Sequence, residues 1–477
     1  MKRYEHYAQE IADLIKTGTL QAGDRLPSVR QACANRGISP STVFEAYYLL
    51  EAQGRIEARP RSGYYVRAQP APRQAEPTTA KPASHSTAVA ISDLVFEVLA
   101  STRNPSVVPL GSAFPSPALF PLDKLARCLT PAMRARDPGE LVEDLTQGNL
   151  QLRHQIGLRY GHEGTVVGAD EITITNGAME ALNLCLQVLT QPGDVVAVES
   201  PAFYGALQAL ERLQLRAVEV ATHPRDGVDL DSLAEVLARH PVKACWFMPQ
   251  FQNPLGSLMP DATKAAMVDL LARHGVPLIE DDVYGELHFG PGRVRPAKAY
   301  DRSGLVLHCA SFSKCLAPGY RVGWTAAGRF APSVQRLKLM TTLSTAIPSQ
   351  WALARYLQGG GYDRHLRQLR QTLAAQQAVA LEAIARYFPT GTRVTRPEGG
   401  YFLWVELPQP FDALQLHRLA LAQRISIAPG HVFSADRRFG HCLRINYGLP
   451  DAARLQDALR TLGQLAHDLL PPGAATG

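Results

Sequence analysis

From about Ile91 onward, short apolar runs alternate with helical stretches, and this rhythm restricts the chain to few folds. The runs are Glu171-Ile172-Thr173-Ile174-Thr175, Val195-Val196-Ala197-Val198, Ala244-Cys245-Trp246-Phe247-Met248, Pro277-Leu278-Ile279-Glu280 and Leu305-Val306-Leu307-His308. Strands that alternate with helices build a mainly parallel sheet with helices on both faces. After about Trp351 a long helical stretch leads to Tyr401-Phe402-Leu403-Trp404-Val405 and Cys442-Leu443-Arg444-Ile445-Asn446, which read as strands of a smaller α+β subdomain. The expected fold class is α/β.

Residues 1–68 follow another pattern. Tyr4, Tyr7, Ala8, Ile11, Leu14 and Ile15 repeat at helical spacing. Ser28 is placed to cap a second helix that ends near Gly37. Ser39 followed by Pro40 is an N-cap with proline at the first helical position, and that third helix runs through Val43, Ala46, Tyr47 and Leu50 to Gly54. Residues 55–60 and 64–67 read as two short strands joined around Ser62-Gly63. Three helices and a hairpin make a winged helix-turn-helix. Residues 69–90, rich in Pro, Ala, Thr and Ser, read as a linker that cannot fold alone. The remainder, 91–477, is expected to divide into a large subdomain of about 110–345 and a small one of about 346–470.

Charge adds one point. Residues 1–67 hold ten Lys/Arg against seven Asp/Glu, a net of +3, with Arg55, Arg59, Arg61 and Arg67 concentrated late. The net charge of the whole chain, +6, is too small to mark a nucleic-acid binder by itself. Seven cysteines without a CxxC pair read as free thiols in a reducing compartment. The start, Met1-Lys2-Arg3-Tyr4-Glu5-His6, lacks a leader's apolar stretch, and no run reaches the roughly 18 apolar residues of a membrane span. These features predict a cytoplasmic protein without membrane or metal partners.

The chemistry concentrates at the ends of the expected strands. Lys314, in Ala310-Ser311-Phe312-Ser313-Lys314, is flanked by small hydroxyl residues, with Arg321 seven positions on. A lysine of this kind can form an imine beside a bound phosphate, as pyridoxal 5′-phosphate (PLP) requires. Ser311, Ser313 and Arg321 would hold the phosphate, together with the helix start at Asn176-Gly177-Ala178. Phe203 or Tyr204 would stack on the ring, Asn253 and Tyr284 would bond its phenolic oxygen, and Asp281 would keep its nitrogen protonated. Arg444, helped by Asn253, would clamp a substrate carboxylate. Taken singly, each has an ordinary alternative: an Asn-Gly turn, a core aromatic, a pre-proline turn, a solvated acidic pair or a surface salt bridge. Taken together and in order, they place one site at the sheet's carboxyl edge, where open α/β sheets bind ligands.

About residues 109–470 resemble the class I/II aminotransferases of PLP fold type I, through Asn176-Gly177-Ala178, Asn253-Pro254, Asp281 with Tyr284, Ser311-Phe312-Ser313-Lys314, Arg321 and Arg444. Residues 11–66 resemble the winged helix of the GntR regulators, through Gly23-Asp24-Arg25-Leu26-Pro27-Ser28-Val29-Arg30, Ser41-Thr42-Val43, Ala46-Tyr47 and Arg61-Ser62-Gly63-Tyr64. Joined by a Pro/Ala linker, the two resemble the MocR subfamily of transcription regulators. The resemblance implies a seven-stranded sheet, PLP on Lys314, a double-stranded DNA operator, an amino acid or amine effector, and a homodimer. It also implies DNA contacts from Arg25, Ser28 and Arg30 around the second helix, from Ser39, Ser41 and Thr42 at the recognition helix, and from Arg61 and Gly63 at the wing. Three departures stand out. Position 203 is Phe where Tyr is common; the recognition helix lacks its usual arginine and has Glu45 before Ala46, which weakens guanine readout; and no inter-subunit tyrosine is evident around Gln147-Gly148-Asn149. The motifs fit a ligand-sensing regulator and an aminotransferase with Lys314 as its base, and a lyase or racemase of the same fold would use the same site. The winged helix, which has no role in transamination, favours the first.

Overall fold

The computed structural model describes every residue except 1, 17–18, 21–22, 60–61, 67–73, 101–103, 105, 135–138, 140–146 and 471–477. The chain forms two compact units, Met1–Arg73 and Gln74–Gly477.

In the first unit three helices, α1 (Arg3–Lys16), α2 (Val29–Arg36) and α3 (Pro40–Ala52), precede an antiparallel hairpin of β1 (Ile56–Arg59) and β2 (Gly63–Val66). Local chemistry sets the ends. Ser28 and Gln31 form a reciprocal capping box on α2, and Gly37 closes it at φ +63°. Ser39 caps α3, with Pro40 at its first position. This helix stops at Ala52, and Gly54, at φ +69°, lets Arg55 N–H return to the Leu50 carbonyl. Tyr7, Ala8 and Ile11 of α1 meet Val43, Ala46, Tyr47 and Leu50 of α3 in a common core. The Tyr47 hydroxyl donates to the Pro27 carbonyl at 2.7 Å, which ties α3 to the start of α2.

The second unit is built on one mixed sheet. Its seven main strands lie in the order Arg216–His223, Val195–Ser200, Val242–Phe247, Leu278–Asp281, Val306–Ser311, Gly323–Ala326, Ile172–Thr175. The first five pair in parallel; Gly323–Ala326 runs antiparallel to both its neighbours. Two dipeptide strands, Thr87–Ala88 and Gly227–Val228, extend the Arg216–His223 edge. The apolar runs are continuous because both faces are covered. Val195 and Ala197 enter one core while Val196 and Val198 enter the other, and Phe247 and Trp246 divide in the same way. The small subdomain carries an antiparallel sheet of Arg393–Val394, Phe402–Glu406, Cys442–Asn446 and Ala428–Pro429, with helices Gly361–Tyr387, Ala413–Ala422 and Ala452–Leu469.

The contact boundary falls inside the stretch expected to be a linker. Residues 74–90 lie along the second unit as an arm. Arginine side chains hold its carbonyls: Arg438 donates to Lys81 O at 2.8 Å and Arg216 donates to Ser86 O. Thr87–Ala88 then joins the sheet, and Val89 and Ile91 are buried. The composition that prevents independent folding leaves a backbone free to accept such bonds. No helix among the described residues is long and apolar enough to cross a membrane.

Candidate functional site

The strands ending at Thr175, Ser200, Phe247, Asp281 and Ser311 all finish at the same edge of the sheet. At the first, Gly177 opens the helix Ala178–Leu189 with no side-chain cap, so its leading N–H groups keep no side-chain acceptor. Arg321 reaches across this turn, donating to the Asn176 carbonyl at 3.0 Å and to Ser313 Oγ at 3.4 Å. A Cβ on Gly177 would stand 2.4 Å from Arg321 Nη2, and one on Gly323 would stand 2.5 Å from the Gly177 carbonyl carbon. Glycine is required at Gly323 because the obstacle is backbone, and at Gly177 because its φ is +82°. Ser313 N–H donates to Ser311 Oγ at 3.3 Å. Helix N–H groups, two hydroxyls and a guanidinium converge in a cup suited to a phosphate dianion.

Asp281 ends the fourth strand of the sheet and is buried. Its Oδ2 accepts from Trp246 Nε1 at 3.4 Å, while Oδ1 has no partner. Burial pushes its carboxyl up to about 7. Tyr284 is buried beside it, edge-on to Tyr401 and Phe402. Lys314 follows the fifth strand; its Nζ donates to Ala113 O at 2.9 Å and stands 3.5 Å from the Phe114 ring centroid. Removal from water brings its ammonium down to about 7; the charges of Arg444 and Arg321 act in the same direction and Asp281 opposes them. Lysine, carboxylate and both arginines thus share one electrostatic environment.

Arg444, on Cys442–Asn446, is fully buried. Its Nη1 donates to Asn253 Oδ1 at 2.9 Å and its Nη2 to the Gly111 carbonyl at 2.8 Å. The guanidinium lies 4.2 Å from the Phe402 ring centroid and 5.4 Å from that of Phe433. Its Nε and the Asn253 Nδ2 have no hydrogen-bond partner. Phe203 precedes the helix Tyr204–Arg212 with its ring over Gly205, where a Cβ would come within 2.6 Å.

Three unpartnered buried atoms, Asp281 Oδ1, Asn253 Nδ2 and Arg444 Nε, are therefore one acceptor and two donors. Such groups are costly unless something pairs with them. They fit the ring nitrogen, the phenolic oxygen and the substrate carboxylate of a PLP site respectively. Sequence reasoning missed Trp246, the Gly111–Phe114 segment and the aromatic walls of Arg444. The signals are faint: Trp246 sits in an expected strand, and Tyr401-Phe402 follow a Gly-Gly pair.

In the first unit Arg25, Arg30, Ser39 and Ser41 are exposed, and Thr42 is half-buried. Ser39 Oγ meets Ser41 Oγ at 2.9 Å and Thr42 Oγ1 at 2.8 Å, so these hydroxyls share the cap of α3. Ser28 serves the capping box of α2. Gly63, at φ +101°, turns the hairpin beside the Arg25 guanidinium. Arg61 lies outside the described residues. Phe44 and Tyr48, exposed and stacked one turn apart on α3, were not anticipated.

The chain matches two family models: aminotransferase class I and II over residues 140–462, and bacterial regulatory proteins, gntR family, over residues 3–66. It is 48% identical to the uncharacterized HTH-type transcriptional regulator YdcR of Escherichia coli, over 98% of this chain and 100% of the relative. The kynurenine aminotransferase of Pyrococcus horikoshii, solved with PMP, aligns at TM-score 0.73 and 29% identity over 79% of this chain and 95% of its own. LysN, the α-aminoadipate aminotransferase of Thermus thermophilus, solved with N-(5′-phosphopyridoxyl)-L-leucine, aligns at TM-score 0.71 and 29% identity over 80% of this chain and 99% of its own.

Proposed function

The chain belongs to the class I and II aminotransferase family and carries a gntR-family module ahead of it, in the manner of MocR regulators; from that premise we propose that it is a PLP-dependent, DNA-binding transcription regulator that senses an amino acid or amine. What carries the reading is the joint presence, in one chain, of a winged helix and of three unpartnered buried polar atoms matched to PLP and an amino acid. PLP supplies an aldehyde for capturing amino groups and a ring that withdraws electrons. The chain's own residues do the rest. Lys314 offers a neutral amine near pH 7 and takes or returns a proton at Nζ. Asp281 Oδ1 holds the proton at the ring nitrogen, and Trp246 fixes the other carboxylate oxygen. Asn253 and Tyr284 orient the phenolic oxygen, Phe203 covers the ring, and Ser311, Ser313, Arg321 and the Gly177–Ala178 helix start hold the phosphate. Arg444 binds a carboxylate through its guanidinium.

On the DNA side, Arg25 and Arg30 reach phosphates of a double-stranded operator, while Ser41 and Thr42 lie at the helix start that meets base edges. The working form is a cytoplasmic homodimer. A second reading, turnover as an aminotransferase, is favoured by one observation: Lys314, Asp281, Asn253, Tyr284 and Arg444 are all present among the described residues. The test is to screen amino acids and amines for changes in the visible spectrum of the PLP-loaded protein, then to repeat DNA binding with each hit. A hit that alters DNA affinity supports regulation. Hits that turn over with an oxo-acid acceptor and leave DNA affinity unchanged support the enzyme.

A further inference from the structure

A cleft of about 360 Å³ is lined by Gly256 and Leu258, which follow Asn253, and Lys314 is not among its lining residues. Its walls carry Arg225, Lys264, Arg293, Arg295 and Arg396 against Asp226, Asp261 and Glu398, a net of two positive charges. Asp261 lies 3.1 Å from Lys264 Nζ and Asp226 lies 3.1 Å from His223, while Arg293 pairs outside the cleft with Asp363 at 3.2 Å and Glu163 at 3.7 Å. Lys264 is fully buried, and its Nζ donates to Asp261 Oδ1 and to the Arg295 carbonyl. The helix Asp261–His274 starts at the cleft with Pro260 as its N-cap and no side-chain acceptor for its first turn.

The arm supplies a carboxylate of its own. Glu76 Oε2 accepts from Arg225 Nη2 at 2.7 Å. Next to it, Val394 N–H donates to Ala75 O at 3.0 Å and Arg396 Nη2 reaches Gln74 O at 3.5 Å. Thus two cations of the cleft also anchor the first described residues of the arm. On its other side Arg225 accepts at its carbonyl from Leu258 N–H at 2.9 Å, within the segment that follows Asn253.

We propose that this cleft binds a small multivalent oxyanion, a phosphate-bearing or polycarboxylate metabolite, in competition with Glu76 for Arg225, and that its binding loosens the foot of the arm. Glu76 engages Arg225 alone, whereas a multivalent anion reaches Arg225 together with the neighbouring Arg295 and Arg396 at once, so it outcompetes a single carboxylate. The regulatory meaning of this rests on the function proposed above, whereas the binding does not.

The experiment is calorimetric titration of the PLP-loaded full-length chain with pyrophosphate and, separately, with citrate. PLP keeps the Arg321 cup filled, and an unchanged visible spectrum confirms it. Saturable binding is expected with at least one probe; pyrophosphate alone assigns a phosphate ligand, citrate alone a polycarboxylate. Arg225→Ala should weaken binding by about tenfold or more, and Glu76→Gln should tighten it by about threefold, since it removes the internal competitor. Amide exchange at residues 74–77 should quicken on saturation. Absence of saturable binding to both the parent and Glu76→Gln, or equal affinity of the parent and Arg225→Ala, overturns the proposal. If the chain loads no PLP, the Lys314 reading fails, and the comparison of Arg225→Ala with the parent still decides the cleft.

Discussion

The two units expose their functions in opposite ways. In the first, the described candidate contact residues are exposed or, at Thr42, half-buried, and their positions follow from caps a few residues away, such as Ser28 with Gln31 and Ser39 with Thr42. A surface that meets a solvated polyanion needs no unmet polar group, because water serves it until the partner arrives. In the second, the site joins residues from Gly111 to Arg444, most of them buried. There Asp281 Oδ1, Asn253 Nδ2 and Arg444 Nε have no hydrogen-bond partner within the protein. Unmet groups in a buried site report their ligand's chemistry, whereas an exposed one reports only charge and shape.

This contrast is open to breakage, most severely at Lys314. Lys314→Ala should abolish the visible absorption of the PLP–lysine adduct while circular dichroism shows an intact fold, since the ammonium makes one backbone hydrogen bond only. A borohydride-reducible adduct surviving at the same site would assign the chemistry to another lysine.

Arg444→Lys comes next. It keeps the charge but loses the planar fork that serves Asn253, Gly111 and a ligand together. Affinity for a carboxylate-bearing effector should fall about tenfold or more, with PLP retained. An unchanged effector titration would mean that the ligand carries no carboxylate or binds elsewhere.

A pH series sharpens the buried side of the contrast. Lys314 titrates near 7, against 10.5 for an ordinary lysine. The neutral amine is the nucleophile, so PLP capture by the apo-protein should accelerate by up to about tenfold from about pH 6 to about pH 8 and then level off. A rate still climbing towards pH 10 would show an unperturbed lysine.

The exposed side predicts the smallest effects. Arg30→Ala should weaken binding to specific and random DNA by a similar few-fold factor and reduce the salt slope by about one. Thr42→Ala should lower affinity for the operator more than for random DNA. Because Thr42 Oγ1 also meets the capping Ser39, its thermal stability must be measured alongside. Equal losses on both DNAs for both variants would remove the division between phosphate and base contacts.

Much of this was legible in the sequence because its causes are local. The caps of α2 and α3 depend on residues three apart, and the strands buried on both faces appear as unbroken apolar runs. Residues 305–308 predict a strand, and the structure extends it to Ser311, which brings that hydroxyl to the strand end. Two strands left no such trace. Arg216–His223 carries arginine, glutamate and histidine at a sheet edge, and Gly323–Ala326 is short and opens on glycine. The latter exists because it fills the gap between Val306–Ser311 and Ile172–Thr175. The candidate site residues stand out in the sequence by type and order, but their partners do not. Trp246 meets Asp281 from a neighbouring strand, and the carbonyls that Arg444 bonds lie over three hundred residues away. The arm was hidden for the same reason: its stability resides in distant arginines.

The central claim is that a ligand in the second unit changes what the first unit does on DNA. The direct measurement is fluorescence anisotropy of operator DNA titrated with the PLP-loaded and the PLP-free protein, each with and without an amino acid or amine that alters the spectrum. A ligand shifts an equilibrium only by its differential affinity for the two states. The account predicts that the ligand moves the DNA-binding curve of the PLP-loaded protein and leaves that of the PLP-free protein in place. Identical curves with and without ligand in the PLP-loaded protein, for every spectrally active compound, would contradict it.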